Sequence, residues 1–316
     1  MSPKPADWEY ENGGLPREKC RSLHGPAGKP SKKTRNWKRV AVSVGFIQFV
    51  FMKPLLIFAC LATVAGLFQG CTTVNETGRS QLMLVSPAQE AQMGLSTFEQ
   101  IKKEEKISKD PAVNERIQRI GKRIAASVGR EIPNARWEFV VFDSATVNAF
   151  ALPGGKVGVY TGLIKLASND DEIAIVMGHE IAHVTSRHGA ERTSQNYAIA
   201  GIGLAAAAGM EMKNVDPAKR NMALAAYGIG SQVGFALPFS RLHESEADAV
   251  GLRFAAGAGY DPRAGATFWK KMAAQGGAKP PEFLSTHPSD ASRIANLQKL
   301  APQYLGLYEQ AKARYQ

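Results

Sequence analysis

Cysteine is nearly absent from this chain. Its 316 residues include three, Cys20, Cys60 and Cys71, and none follows position 71. The long C-terminal part therefore has neither an internal disulfide nor a thiolate metal site. Charge is sparse as well, at 21% of residues against 44% hydrophobic, which fits a globular chain with a core and excludes a disordered one. Internal repeats are missing, and the one biased tract is an Ala-rich run near residue 205. Acidic residues are outnumbered, and the net charge of +11 invites a nucleic-acid partner. Its placement argues against one. Residues 1–70 carry 11 Lys and Arg against 4 Asp and Glu, whereas the other 246 residues carry 28 against 24. The basic surplus sits in a leader, so no nucleic-acid partner is expected.

That leader reads as a targeting device. Residues 1–51 are expected to be a non-native or disordered basic segment, with Met52 as the natural start. Residues 52–70 then form a signal peptide, in which Met52-Lys53 is a short positive region and Pro54–Phe68 an apolar one. The competing reading is a retained signal anchor, since about 20 apolar residues span a bilayer. Phe68-Gln69-Gly70-Cys71 resembles the lipobox of bacterial lipoproteins, although Phe68 and Gln69 depart from its usual residues. The resemblance implies lipidation at Cys71 and attachment to the membrane through that lipid. Thr72, in place of Asp, implies the outer membrane, with the folded part on the periplasmic side of a bacterial envelope.

Residues 71–85, with Asn75, Gly78 and Ser86-Pro87 as turn formers, read as a lipidated linker. Ser86 then caps a helix that starts at Pro87 and runs to about Lys106, with Gln89 completing a capping box. A second helix is expected over Pro111–Gly129, from Val113, Ile117, Ile120 and Ile124 at helical spacing. Trp137–Asp143 reads as a strand, and Pro153-Gly154-Gly155 separates Asn148–Leu152 from Val157–Thr161 as a hairpin-like pair. Asp170–Gly189 reads as an amphipathic helix. Tyr197–Met210, apolar but too short for a confident membrane span, reads as a tightly packed core helix. Further helices are expected over Arg241–Gly257, Asp261–Gln275 and Ser289–Leu300, with a helical tail. The fold class is α+β, mostly helical with a small sheet beside the helix that starts at Asp170.

That helix carries His179-Glu180-Ile181-Ala182-His183, the H-E-x-x-H pattern. Residues four apart share a helical face, so both imidazoles reach one ion. A hydrolytic zinc site needs three protein ligands and an open position for water, and Glu180 stands where it can take that water's proton. The third ligand is sought in Arg241-Leu242-His243-Glu244-Ser245-Glu246-Ala247-Asp248. Glu244 and Asp248 share one face, as a metal ligand and a carboxylate orienting a ligand histidine would; His243 and Glu246 lie on others. A solvated acidic helix is the plain alternative.

Together, His179–Gly189, the Glu244–Asp248 motif, Val147–Gly155, and Thr286-His287-Pro288 followed by Arg293-Ile294 resemble the zinc metallopeptidase family of the CAAX prenyl endopeptidases and HtpX-type proteases. The short form most resembles bacterial periplasmic lipoprotein members. The resemblance covers roughly residues 75–300 and implies a zincin-type metallopeptidase domain over residues 86–316. It implies one zinc per chain held by His179, His183 and Glu244, Glu180 as general base, and Asp248 supporting a ligand histidine. The several membrane spans of the integral-membrane members are missing, which points away from prenylated substrates and towards soluble or misfolded proteins. His287 is expected near the metal, either assisting catalysis or capping the site, unless it merely precedes a helix. Arg293 either binds substrate carbonyls or holds acidic partners. Asn148, Ala149 and Phe150 either form an edge that takes an extended substrate or belong to an ordinary core hairpin. His188, five residues past His183, is expected to face away from the pair.

Two functions compete: an endopeptidase of envelope proteins acting in quality control, and a non-catalytic zinc-containing chaperone or outer-membrane assembly factor. Glu180 favours the first, because a purely structural site has no use for a base there. The leader makes its own prediction. Mass spectrometry of the mature N-terminus should find a lipid-modified Cys71 as first residue, and an unmodified chain that begins upstream would rule this out.

Overall fold

The computed structural model describes residues 71–74, 77–132, 134–232, 237–275, 282–287 and 291–315. The leader, the signal-peptide reading and the side chain of Cys71 lie outside them. The architecture is α+β, mostly helical with two small sheets.

The expected linker instead begins with a ribbon. Strands β1 (Cys71–Thr73) and β2 (Ser80–Leu82) pair antiparallel, Cys71 opposite Leu82 and Thr73 opposite Ser80. Long-range polar contacts from Arg79 hold it down, and a sequence pattern cannot display those.

Two capped helices follow. Helix α1 (Pro87–Glu104) starts at the expected box: Ser86 accepts from the Gln89 N–H, and the Ser86 N–H donates to the Gln89 side chain at 3.0 Å. Helix α2 (Pro111–Val128) is capped by Asp110, which accepts the N–H groups of Ala112 and Val113, and it buries Ile117, Ile120 and Ile124 as its spacing requires. Strands β3 (Glu138–Phe142), β4 (Ala149–Leu152) and β5 (Lys156–Tyr160) form the second sheet in the order β3-β5-β4. β4 and β5 are antiparallel, as the Pro-Gly-Gly turn implied, whereas β3 runs parallel to β5. β5 is buried at every position and β4 is an edge. A short helix, α3 (Thr161–Leu166), closes the unit.

Helix α4 (Asp170–Thr185) carries the H-E-x-x-H residues. Asn169 caps it, accepting the Glu172 N–H at 3.0 Å, and Asp170, Asp171 and Glu172 oppose the positive end of its dipole. One packed face was expected, but every residue from Glu172 to Ala182 is buried. The helix is the centre of the domain, in contact with α2, β4 and three later helices. It also ends four residues before the expected Gly189. Arg187 adopts φ 56°, a left-handed conformation held by its side chain on Glu90 and on the Val85 carbonyl. The chain turns there and starts α5 (His188–Met212).

Helix α5 and its partner α6 (Pro217–Ser231) correct a second expectation. The Tyr197–Met210 run is not core: Tyr197 is 60% and Leu204 73% exposed. The run is mostly Ala and Gly and has too little side-chain volume to fill a core. Its described partner is α6, where the Tyr227 hydroxyl donates to the Ile199 carbonyl. No helix among the described residues is long and apolar enough to cross a membrane.

Helix α7 (Leu237–Gly257) brings the Glu244–Asp248 motif back across α4. Beyond it lie α8 (Ala264–Ala274), α9 (Glu282–Thr286), α10 (Ala291–Leu300), a 3-10 turn (Ala301–Tyr304) and α11 (Leu305–Lys312). The α4–α7 crossing is set by glycine. A Cβ on Gly178 would stand 2.8 Å from the Gly251 carbonyl oxygen, and one on Gly251 would stand 2.8 Å from the His179 Cα. Only bare backbone permits this approach.

Gly251→Ala should therefore destabilise the protein despite alanine's better helix propensity. Overpacking of about 1–3 kcal/mol corresponds to a melting temperature lower by roughly 2–10 °C. Calorimetry that finds an unchanged or raised melting temperature would contradict this packing.

Candidate metal centre

Helices α4 and α7 and the end of α9 bring His179, His183, Glu244 and His287 together, with one potential ligand atom from each within 4.8 Å of all the others. The spacings are close to uniform. The Nε2 atoms of His179 and His183 are 3.1 Å apart, and they lie 3.3 and 3.4 Å from the Glu244 carboxylate. The His287 Nδ1 lies 3.0 Å from Glu244 and 3.3 Å from the His179 Nε2. Ligands about 2.0–2.1 Å from a tetrahedral ion stand roughly 3.3 Å from one another, so this donor set fits zinc in size and chemistry.

Each group is fixed from behind. Asp248 lies 3.0 Å from the His179 Nδ1, which places that proton outward and leaves the Nε2 facing the other donors. Arg293 grips Asp248 with two bonds of 2.7 and 2.8 Å and reaches Glu244 at 2.9 Å. Its guanidinium lies 3.6 Å above the Trp269 ring. Arg293 is buried with its donors engaged, so the carboxylate-holding role is the one observed and the substrate-binding role is not. Glu180 is also buried, and its Oε1 has no hydrogen-bond partner. The His287 Nε2 lies 3.4 Å away, close in charge terms but not bonded. An orphaned buried carboxylate oxygen beside four converging ligand atoms fits a centre that receives water or substrate.

The electrostatics are consistent with this. Burial raises the Glu180 carboxyl above its usual range. Burial opposes charge on Glu244 too, but the hydrogen bonds from His179, His183 and His287 outweigh it and hold that carboxyl far below its usual range. At His179 burial again opposes the charge, yet Asp248 and Glu244 win and raise it to about 9. Burial holds His183 and His188 well below the usual histidine value, so both rings are neutral.

His188 does not face away. Because the chain breaks at Arg187, its Nδ1 comes within 2.8 Å of the His183 Nδ1, and its Nε2 lies 2.8 Å from Glu246. The helical spacing that set it aside does not apply across a left-handed residue. His243 stacks on His188 at 4.2 Å and bonds Glu191, and neither it nor Glu246 is solvated. Trp269, beneath Arg293, carried no sequence signal.

The edge residues divide. Ala149 is buried, and the Phe150 ring packs among Phe98, Phe142 and Tyr160, so neither offers a side chain to a ligand. What β4 offers is its outer backbone edge beside α4. The Phe283 N–H donates to the Val147 carbonyl just ahead of that edge, which places α9 and His287 at its mouth.

The profile of "Peptidase family M48" matches residues 111–301. The chain belongs to peptidase family M48. The matched span contains both metal motifs, the β4–β5 hairpin, His287 and Arg293. The chain is 36% identical over 189 residues to the mitochondrial metalloendopeptidase OMA1 of Schizosaccharomyces pombe, covering 59% of this chain and 52% of that protein. It is 30% identical over 276 residues to the OMA1 of Saccharomyces cerevisiae, covering 78% and 76%. It is 30% identical over 234 residues to the beta-barrel assembly-enhancing protease of Escherichia coli, covering 73% and 47%. The chain thus spans about half the length of two of these relatives.

The His179 charge makes a prediction. Below about pH 9 an ion must displace the proton that Asp248 and Glu244 stabilise, whereas neutral His183 has none to release. Apparent zinc affinity should therefore rise about tenfold per pH unit between about pH 6 and 8 and level off near 9. Competition with a chelator of known pH dependence reads this, and a flat profile would contradict it.

Proposed function

We propose that this chain is a zinc-dependent endopeptidase of the cell envelope that cleaves unfolded or misfolded proteins. The observation that carries the reading is the pairing of four converging ligand atoms with a buried Glu180 oxygen that has no hydrogen-bond partner beside them. Membership of a metallopeptidase family, and relatives named as metalloendopeptidases, support it.

His179, His183 and Glu244 would hold the ion, with a net charge of −1 from the three side chains. Zinc, when bound, supplies a Lewis acid that polarises a peptide carbonyl and makes water more acidic. Glu180, raised by burial, is suited to take a proton from that water and return it to the departing amine. Asp248, on the His179 Nδ1, would keep that ring's Nε2 turned to the ion, and Arg293 fixes Asp248 and Glu244 together. The free edge of β4 would bind an extended substrate through main-chain hydrogen bonds, which suits a protease that reads unfolded backbone rather than side chains.

His287 lies within reach of the same point as the other three donors, so it would supply a fourth ligand and fill the position a substrate or water would take. Of its possible roles the capping one fits best, with α9 as the element that must move. The same saturation favours the rival reading, since a structural zinc site is closed by four protein ligands. On the proposed reading the chain reaches its substrates from the membrane through lipid on Cys71. The name of the Escherichia coli relative makes β-barrel proteins candidate substrates.

Two variants separate these readings. Glu180→Gln should keep zinc and lose casein hydrolysis by at least about a hundredfold; equal rates would end the protease reading. His287→Ala should keep zinc and cleave casein several-fold faster. If it loses zinc instead, the site is the closed, structural kind.

A further inference from the structure

Behind His183, on the side away from the ion's position, lies a buried polar chain that ends on the N-terminal ribbon. The His188 Nδ1 is 2.8 Å from the His183 Nδ1, and the His188 Nε2 is 2.8 Å from a Glu246 oxygen. Glu246 in turn accepts from the Arg79 Nε at 3.2 Å, from its Nη2 at 3.0 Å, and from the Thr77 hydroxyl. The same guanidinium forks onto Glu191 at 2.7 and 2.8 Å, and Glu191 accepts from the His243 Nε2 at 2.9 Å. His188, Glu191, His243 and Glu246 are all buried.

One arrangement of protons satisfies every contact in this chain. Glu246 already accepts from Thr77 and Arg79, and as the acceptor towards His188 it leaves the hydrogen on the His188 Nε2. With that hydrogen on Nε2, His188 presents its Nδ1 lone pair, which accepts from the His183 Nδ1–H. That fixes the His183 tautomer with its Nε2 lone pair towards His179 and Glu244. The two ligand histidines are therefore braced differently: His179 directly by Asp248, His183 by Glu246 acting through an imidazole. Two buried carboxylates without a cation would be costly, and Arg79 is the cation that touches both.

We propose that His188 is a positioning residue for the metal ligand His183, and that Thr77 and Arg79 of the N-terminal ribbon lock it through Glu246, so that the ribbon sets how tightly the site holds its ion. This rests on the metal reading above. It ties the segment that follows the membrane-directed leader to the chemistry: displacement of the ribbon would loosen the ion. Arg79 lies 100 residues before His179 in the chain, and its charge is the last link in a file of three side chains.

The test is zinc affinity of the full-length protein, by chelator competition well below the melting temperature, together with the visible spectrum of the cobalt-substituted protein. His188→Ala and Arg79→Met should each weaken zinc about 10- to 100-fold and shift the cobalt bands, as loss of outer-shell partners does. Arg79→Lys should recover only part of the affinity, because an ammonium does not fork onto two carboxylates. Thr77→Val removes a single hydroxyl and keeps the test open if Arg79→Met fails to fold; a weakening of roughly two- to fivefold is expected. Folded variants with wild-type affinity and unchanged cobalt bands would overturn the proposal. A wild-type chain whose zinc binding is indifferent to His183→Ala would overturn the metal reading itself.

Discussion

The rest of the structure depends on the approach of two helix backbones at Gly178 and Gly251. Gly178 precedes His179, and Gly251 lies one turn beyond Asp248, so the closest contact of α4 and α7 falls beside the residues that must converge. Ligand-atom separations of 3.0–3.4 Å tolerate little drift, and a methyl group at either glycine would push the helices apart by a comparable amount. The apolar surroundings of α4 hold that register, because a helix buried on every side cannot roll or slide without opening voids.

Such a crossing places charge in the core, where unpaired charge is strongly destabilising. The protein resolves this by alternation. Asp248 and Glu244 share Arg293, Glu246 and Glu191 share Arg79, and buried Glu172 takes Lys271 at 2.7 Å. Glu180 is the exception. It is buried, raised and lacks a partner on one oxygen, although the groups that would quench it are nearby. The Ser186 hydroxyl and the Trp269 indole nitrogen are buried without a hydrogen-bond partner too, but among these groups only Glu180 is an acid beside the converging ligand atoms, where the fold gives up stability for chemistry.

Features that depend on near neighbours in the chain were legible in advance. The Ser86–Gln89 box, the two histidines a turn apart, the Glu244–Asp248 pair and the Pro-Gly-Gly turn each need a few consecutive residues, and all are present where the pattern put them. Features that depend on distant partners were not. Nothing in Ser186-Arg187-His188 announces a left-handed break, which costs a non-glycine residue energy and persists because Glu90 and Val85 hold the arginine. The ribbon at Cys71–Leu82 read as linker for the same reason. The Ala-rich run misled in the opposite direction: apolar composition implied burial, whereas small side chains and one partner helix leave it exposed.

By itself the sequence determined the chemistry available. It supplied two imidazoles at helical spacing with a carboxylate between them, a pair of carboxylates at the same spacing, and no thiol beyond Cys71, because residue type and i, i+4 geometry are local properties of the chain. Tertiary structure alone decided what that chemistry faces: that Arg293 braces carboxylates, that His287 stands beside His179 and Glu244, and that His188 stands behind His183. Those choices follow from how helices cross and where one of them breaks. Packing and long-range charge set both, and neither is written in any short stretch of residues.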